Sequence, residues 1–474
     1  MKAGLVILLT FITLVVFLAT WSYEPEDESV RFVSNQDYIS KKAAILDLLE
    51  IVSSFEQIHP NPYRFRSKAV LLEEISSYEL AISDSLTIIE FWRIVDKLIC
   101  GYNDAHSVAD DAYVLTDYVK NGGLFFPYSV ELSNGQIRFE SSNSLTRRLV
   151  RSINGIESNE LIKTLKLHAT KETNELDEKD ISDDFGFYYW KAFGRQEAFE
   201  IISSDDSILA KYDTIKVEGI SWEQRKGKSV KDSPSYSFKF LQDSIGYMTI
   251  KDFNGSESDI NDFYKQSFQR LKDAESKSLI LDFRGHSGGS DSYGELLAKY
   301  ISDQKFRKLS KAYWKITKDF KEAFDRRFVL RGIRWFKPIY LVNEYSAVFY
   351  DADFGETIEI EYELRNTYPD NERFSGHVYL LTDHDTFSAG SIFAEMFKYY
   401  KMGTLVGQPT GNLQSFNGFA LVSKTLPNSK LTYKISSVYN LANSQFEGLK
   451  SVQPDVLLQD DQDPVLYLLQ NSIR

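Results

Sequence analysis

From Val378 the chain runs apolar, then polar, then apolar again. Val378, Leu380 and Leu381 predict a buried strand, and Ile392, Phe393, Met396, Phe397 and Tyr400 predict the apolar face of a helix. Ser388 falls where the turn becomes the helix. A helix start offers free N–H groups and a positive dipole end, so an anion formed beside Ser388 would be stabilised. That is a setting for a nucleophilic serine with an oxyanion hole; the other reading is a serine that only caps the helix.

Earlier in the chain, Ile45, Leu48, Leu49, Val52 and Phe55 follow helical spacing, and "HPNPY" at His59–Tyr63 ends that helix. Ile88, Trp92, Val95 and Ile99 mark a second helix near Leu86–Cys100, stopped at Gly101. The loop "GYNDAHSV" follows and carries Asp104, His106 and Ser107. "YSVEL" and "QIRFE" alternate around Ser133-Asn134-Gly135, a hairpin signal. "LVRSINGIESNELIKTLK" predicts a strand, an Asn154-Gly155 turn and a helix. Thr170–Asp184 is charged and predicts a linker or helical excursion, and Phe185–Trp222 predicts short strands.

From Tyr236 the pattern becomes α/β. "IGYMTI" and "SLILDF" predict strands, Ile260–Leu271 and Tyr293–Ile301 predict helices, and Arg284–Gly289 is a glycine loop. That loop lacks the ending of a P-loop and the spacing of a dinucleotide fingerprint. Its backbone N–H groups suit an oxyanion equally well. Phe306–Arg373 is a long aromatic and charged excursion, read as a lid.

Composition narrows the classes. The 474 residues, 43% hydrophobic, suffice for two or three packed domains. A net charge of −13 argues against nucleic acid as a partner. The single cysteine, Cys100, excludes an internal disulfide framework and a four-thiolate zinc site. Gly4–Trp21 is almost wholly apolar behind Lys2, which predicts a signal peptide or an uncleaved membrane anchor at Met1–Ser22. The body is then periplasmic or extracellular. No cofactor and no metal is implied.

Four stretches, "LILDFRGHSGG", "TFSAGSIFAEMF", "LVGQPTGN" and "EGLKSVQPDV", stand in one order. Together they resemble the tail-specific and tricorn-core serine peptidases, also called carboxyl-terminal processing peptidases. "GYNDAHS" is similar to the histidine loop of the tricorn-type branch, and "RSINGIESNELIKTL" to the carboxylate-gripping half of a degenerate PDZ domain. The resemblance implies an α/β, crotonase-like (ClpP-type) catalytic domain with an N-terminal helical segment and a PDZ-like module. It implies Ser388 as nucleophile, the Ala389 N–H as one oxyanion donor and a Gly288 or Gly289 N–H as the other. The bacterial branch places a lysine base in the later glycine turn, but Thr410-Gly411-Asn412-Leu413 has none. The tricorn-type branch uses a histidine, matched by His106, and a late glutamate, matched by Glu447. The serine that precedes that histidine in the branch is Ala105 here. The implied layout is a leader at 1–22, a helical region with the histidine loop at 23–118, and a PDZ-like module at 119–166. A linker with short strands follows at 167–235 and the catalytic domain at 236–474.

A serine needs a base, and a histidine's pKa suits the task. Of the six histidines, His286 and His384 rival His106. Asp104 is a further candidate to orient the base, and Asp282 and Arg284 read as pins for the glycine loop. Three functions follow: an exported serine endopeptidase acting on peptides or proteins, an inactive peptide-binding or scaffold protein on the same fold, and an esterase. If the PDZ-like module grips peptide ends, an exposed sheet edge lies beside its helix.

Overall fold

A computed structural model describes residues 34–140, 147–170, 172–205, 212–226, 234–241, 245–328, 346–459 and 462–471. The apolar stretch Met1–Ser22 lies outside the described residues, among which no helix is long and apolar enough to cross a membrane.

The chain is a mixed α/β protein. Its central sheet runs Tyr236–Leu241, Ile245–Ile250, Ser278–Asp282, His377–Thr382, Thr404–Gly407, Val456–Leu457. The first pair is antiparallel and every later pair is parallel. Parallel neighbours need crossovers, and the helices Glu257–Asp273 and Ala389–Tyr399 supply two of them. Leu279, Leu281, Val378 and Leu380 pack on one face of the sheet, and Ile280, Tyr379 and Leu381 on the other. Burial on both faces is why these strands read as continuous apolar runs in the sequence.

The helices Lys41–Ile58 and Ile88–Cys100 form as their spacing predicts. Thr87 and Glu90 close a capping box on the second, and it ends at Gly101. Beyond the histidine loop, Val108–Ala109 pairs with the strand Thr432–Ser436. That pairing carries an N-terminal loop into the C-terminal half of the chain.

A second, antiparallel sheet runs Val130–Ser133, Gln136–Glu140, Arg147–Ile153, Ala198–Asp205, Tyr212–Glu218. Both predicted turns are present, with positive φ at Asn134, Gly135, Asn154 and Gly155. The helix Ser158–Leu165 packs on this sheet. The region read as short strands instead opens with a helix, Phe185–Phe193. Phe185, Tyr189 and Trp190 are buried at helical spacing and Asp184 caps the start. Thr173 caps another helix, Asn174–Asp183.

That second helix covers one of the two edges of the sheet, the other being Tyr212–Glu218. Val130–Ser133 is an edge strand, but Leu132 donates its N–H to Ser182 Oγ at 2.8 Å. The edge is therefore met by Asn174–Asp183 rather than open. The excursion read as a lid also contributes sheet: Lys311–Lys315 and Thr357–Glu361 join Val438–Leu441 and Phe416–Asn417.

Candidate active site

Ser388 is the N-cap of the helix Ala389–Tyr399, with φ 52° and ψ −118°. A non-glycine residue there is strained and is held by its surroundings. The holding contacts are specific. Phe387 N–H donates to the His286 carbonyl at 2.8 Å, and Thr386 Oγ1 donates to the Phe283 carbonyl at 2.9 Å. Ser388 N–H itself donates to Asn412 Oδ1 at 2.5 Å. The serine turn is thus tied to both glycine loops.

His106 Nε2 lies 3.2 Å from Ser388 Oγ, across 282 positions of sequence. The imidazole is stacked between Phe387, at 5.0 Å, and Phe416, at 5.6 Å between ring centres. Burial draws its pKa below the ordinary range; the Asp104 charge and the Asn417 backbone oppose this without overcoming it. At neutral pH the ring is neutral and can accept the serine proton. Its Nδ1 is buried and reaches no acceptor at hydrogen-bond geometry among the described residues.

The carboxylates near His106 have other tasks. Asp104 Oδ1 accepts the His106 backbone N–H at 2.9 Å, and Oδ2 accepts from the Ser107 hydroxyl and from His59 Nε2. His59 Nδ1 accepts the Asn61 N–H, so its proton sits on Nε2, facing Asp104. Burial alone would raise the Asp104 pKa, but the partners His59, His106 and Ser107 hold it below the usual range. Asp104 therefore fixes the loop rather than the ring. Glu447 accepts from the Tyr439 hydroxyl at 3.2 Å, and its backbone carbonyl accepts from Arg64. It makes no hydrogen bond to His106.

The rival histidines stand elsewhere. His286 Nδ1 accepts the Gly288 N–H at 3.1 Å, and burial pushes the ring's pKa down to about 4. Stacked on Phe283, it is a neutral packing group. His384 has no hydrogen bond to Ser388, and its Nδ1 is buried without a partner among the described residues. Gly288 sits against the serine with φ 106°; a Cβ there would come within 2.7 Å of Ser388 Cβ. Its N–H is taken by His286, whereas those of Gly289 and Ala389 have no partner among the described residues. Arg284 grips Asp282 through Nε and Nη2 at 2.9 and 2.7 Å, pinning the loop as expected.

Sequence reasoning missed one residue. Glu172 is buried; its Oε2 accepts the Ala105 N–H at 3.1 Å, and its Oε1 accepts Asn412 Nδ2 and the Leu413 N–H, each at 3.0 Å. It lies in the charged stretch read as a linker or helical excursion, just ahead of the cap Thr173. Asp104, His106 and Glu172 offer metal-ligand atoms within 4.8 Å of one another. Every one of the four carboxylate oxygens already accepts a hydrogen bond, which is the pattern of a polar network rather than a cation cage.

Residues 244–458 match the family model of peptidase family S41. No curated protein matches the sequence. Among solved structures, a CPAF mutant is 12% identical, with 88% of this chain and 93% of that one covered at TM-score 0.60. Mature CPAF complexed with lactacystin is 14% identical, with 88% and 94% covered at TM-score 0.56. These likenesses are of fold. A photosystem II D1 C-terminal processing protease is 12% identical over 89% of this chain and 93% of its own, at TM-score 0.42.

Proposed function

Starting from the match of residues 244–458 to peptidase family S41, we propose that the chain is a serine peptidase that cleaves peptide bonds through an acyl-enzyme, with Ser388 as nucleophile and His106 as general base. The observation that carries the reading is the 3.2 Å approach of His106 Nε2 to Ser388 Oγ at a strained helix start. His106 takes the hydroxyl proton as Oγ adds to the substrate carbonyl. The oxyanion is received by the Ala389 N–H and a glycine N–H, Gly289 being uncommitted where Gly288 is bound to His286. His106 then gives the proton to the leaving amine, and water, deprotonated by the same ring, releases the acyl group.

The six-strand sheet and its helices are read as a crotonase-like catalytic unit, and the sheet opened by Val130–Ser133 as a degenerate PDZ-like module. Met1–Ser22 is read as the export signal or anchor that puts the body in the periplasm or outside the cell. Cell fractionation that finds the protein only in cytosol would refute that placement.

One observation favours the inactive-binder reading: His106 Nδ1 has no carboxylate partner, and Glu447 serves Tyr439. Fluorophosphonate labelling decides between them. The peptidase reading expects labelling of the wild type, loss of it in Ser388→Ala, and cleavage of peptides as well as esters. A folded wild type that takes no label would favour the binder, and labelling with ester cleavage alone would favour an esterase.

A further inference from the structure

We infer that Glu172 is a positioning residue: it joins the histidine loop to the serine turn and sets the orientation of the Asn412 amide that holds Ser388. The inference rests on the reading of Ser388 and His106 as the reactive pair. Glu172 reaches the histidine loop 67 positions before it, through the Ala105 N–H, and the glycine turn 240 positions after it, through Asn412. Above its pKa of about 7 the carboxylate is ionised and only accepts, so Asn412 turns its Nδ2 toward Glu172. Its Oδ1 then faces the Ser388 N–H, where it sits at 2.5 Å. With the amide reversed, Nδ2 would oppose that N–H, and the one tie made by Ser388's own N–H at φ 52° would be lost.

Neighbouring contacts grip the same turn. Thr173 Oγ1 donates to the Gly411 carbonyl at 3.0 Å, and the same oxygen caps the helix Asn174–Asp183 by accepting the Leu176 N–H. Lys179 of that helix pairs with Asp385, ahead of Ser388, at 2.8 Å. Burial pushes the Glu172 carboxyl up to about 7, against the donors Asn412, Leu413 and Ala105, while the Asp104 charge adds to the rise. Asp104 and His106 are the titratable groups of the cluster it faces.

Glu172→Gln tests the inference. A glutamine has one acceptor and one donor end, so it cannot satisfy Ala105 on one side and Asn412 with Leu413 on the other. The expected result is a fall in kcat of about 10- to 100-fold with KM nearly unchanged, because the reacting atoms are misplaced rather than the substrate released. The limb of the pH profile near about 7, set by the ionisation of Glu172, should be lost in the variant. Asn412→Ala should cost a similar factor, and the double variant should be little worse than either single one. A wild-type kcat and pH profile in Glu172→Gln, or strictly additive losses, would overturn the inference. So would a Glu172→Gln protein that only melts earlier. Should Glu172→Gln fail to fold, Asn412→Ala carries the test, and a wild-type kcat there overturns it.

NMR of the Ser388 and Asn412 amides needs no turnover. In the wild type they should shift with a midpoint near about 7 as Glu172 ionises, and Glu172→Gln should lose that titration. A wild type without that titration would contradict the inference even if the peptidase reading failed; failure of that reading shows separately, as an unlabelled wild type.

Discussion

His59 Nε2 stands 3.2 Å from Asp104 Oδ2, so the carboxylate next to the proposed base serves a second imidazole. Asp104 also takes the His106 N–H and the Ser107 hydroxyl, and Ser107 Oγ accepts the Ser436 N–H at 2.9 Å. Asp104→Asn would set an NH₂ group against one of those donors. The expected loss is about 2–4 kcal/mol of stability, read by urea unfolding, because a buried network would be left part-satisfied. A change below about 0.5 kcal/mol, the scale of ordinary surface substitutions, would show that the loop does not depend on it.

Glu447→Gln keeps an acceptor for the Tyr439 hydroxyl and removes no bond to His106. Hydrolysis should therefore fall by less than about tenfold. A loss of about 10²-fold or more would place Glu447 on His106 Nδ1 in the substrate-bound state.

Gly288→Ala should abolish labelling without unfolding the protein. Its φ of 106° disfavours alanine, and the methyl group would meet Ser388 Cβ at 2.7 Å. An alanine variant that labels at the wild-type rate would remove Gly288 from the site.

Glu172 also sets a slope of stability with pH. Its folded pKa of about 7 lies above the ordinary carboxyl value, so between roughly 4.5 and 7 the folded state holds a proton that the unfolded state has released. Its contribution to stability is full below that window and is lost as pH rises through about 7. Between about pH 4.5 and 7 the urea midpoint of the wild type should therefore fall, relative to that of Glu172→Gln, as pH rises. Asp104 acts in the opposite sense: its lowered pKa contributes stability above the ordinary carboxyl range, lost as pH falls through the folded value. Identical pH slopes for wild type and Glu172→Gln would contradict the assignment.

The strand and helix flanking Ser388 were legible because two-sided burial leaves an unbroken apolar run and one-sided burial leaves a helical stripe. Both Asn-Gly turns were legible for the same local reason, since few other pairs accept positive φ. His106 was legible only by resemblance; no local pattern says that a loop after Cys100 will meet a serine 282 positions away. The pairing of Val108–Ala109 with Thr432–Ser436 does that work, and two residues of strand leave no periodicity to read. Glu172 was illegible because its burial comes from the Ala105, Asn412 and Leu413 N–H groups, all distant in sequence. The aromatic run Phe185–Phe193 misled because strand propensity yields to a buried helical face.

The most direct test of the His106–Ser388 pair is the rate of fluorophosphonate labelling in His106→Ala against the wild type. The expected result is slowing by about 10²- to 10⁴-fold, the worth of a positioned general base, with unchanged melting. Labelling of His106→Ala at the wild-type rate would contradict the account.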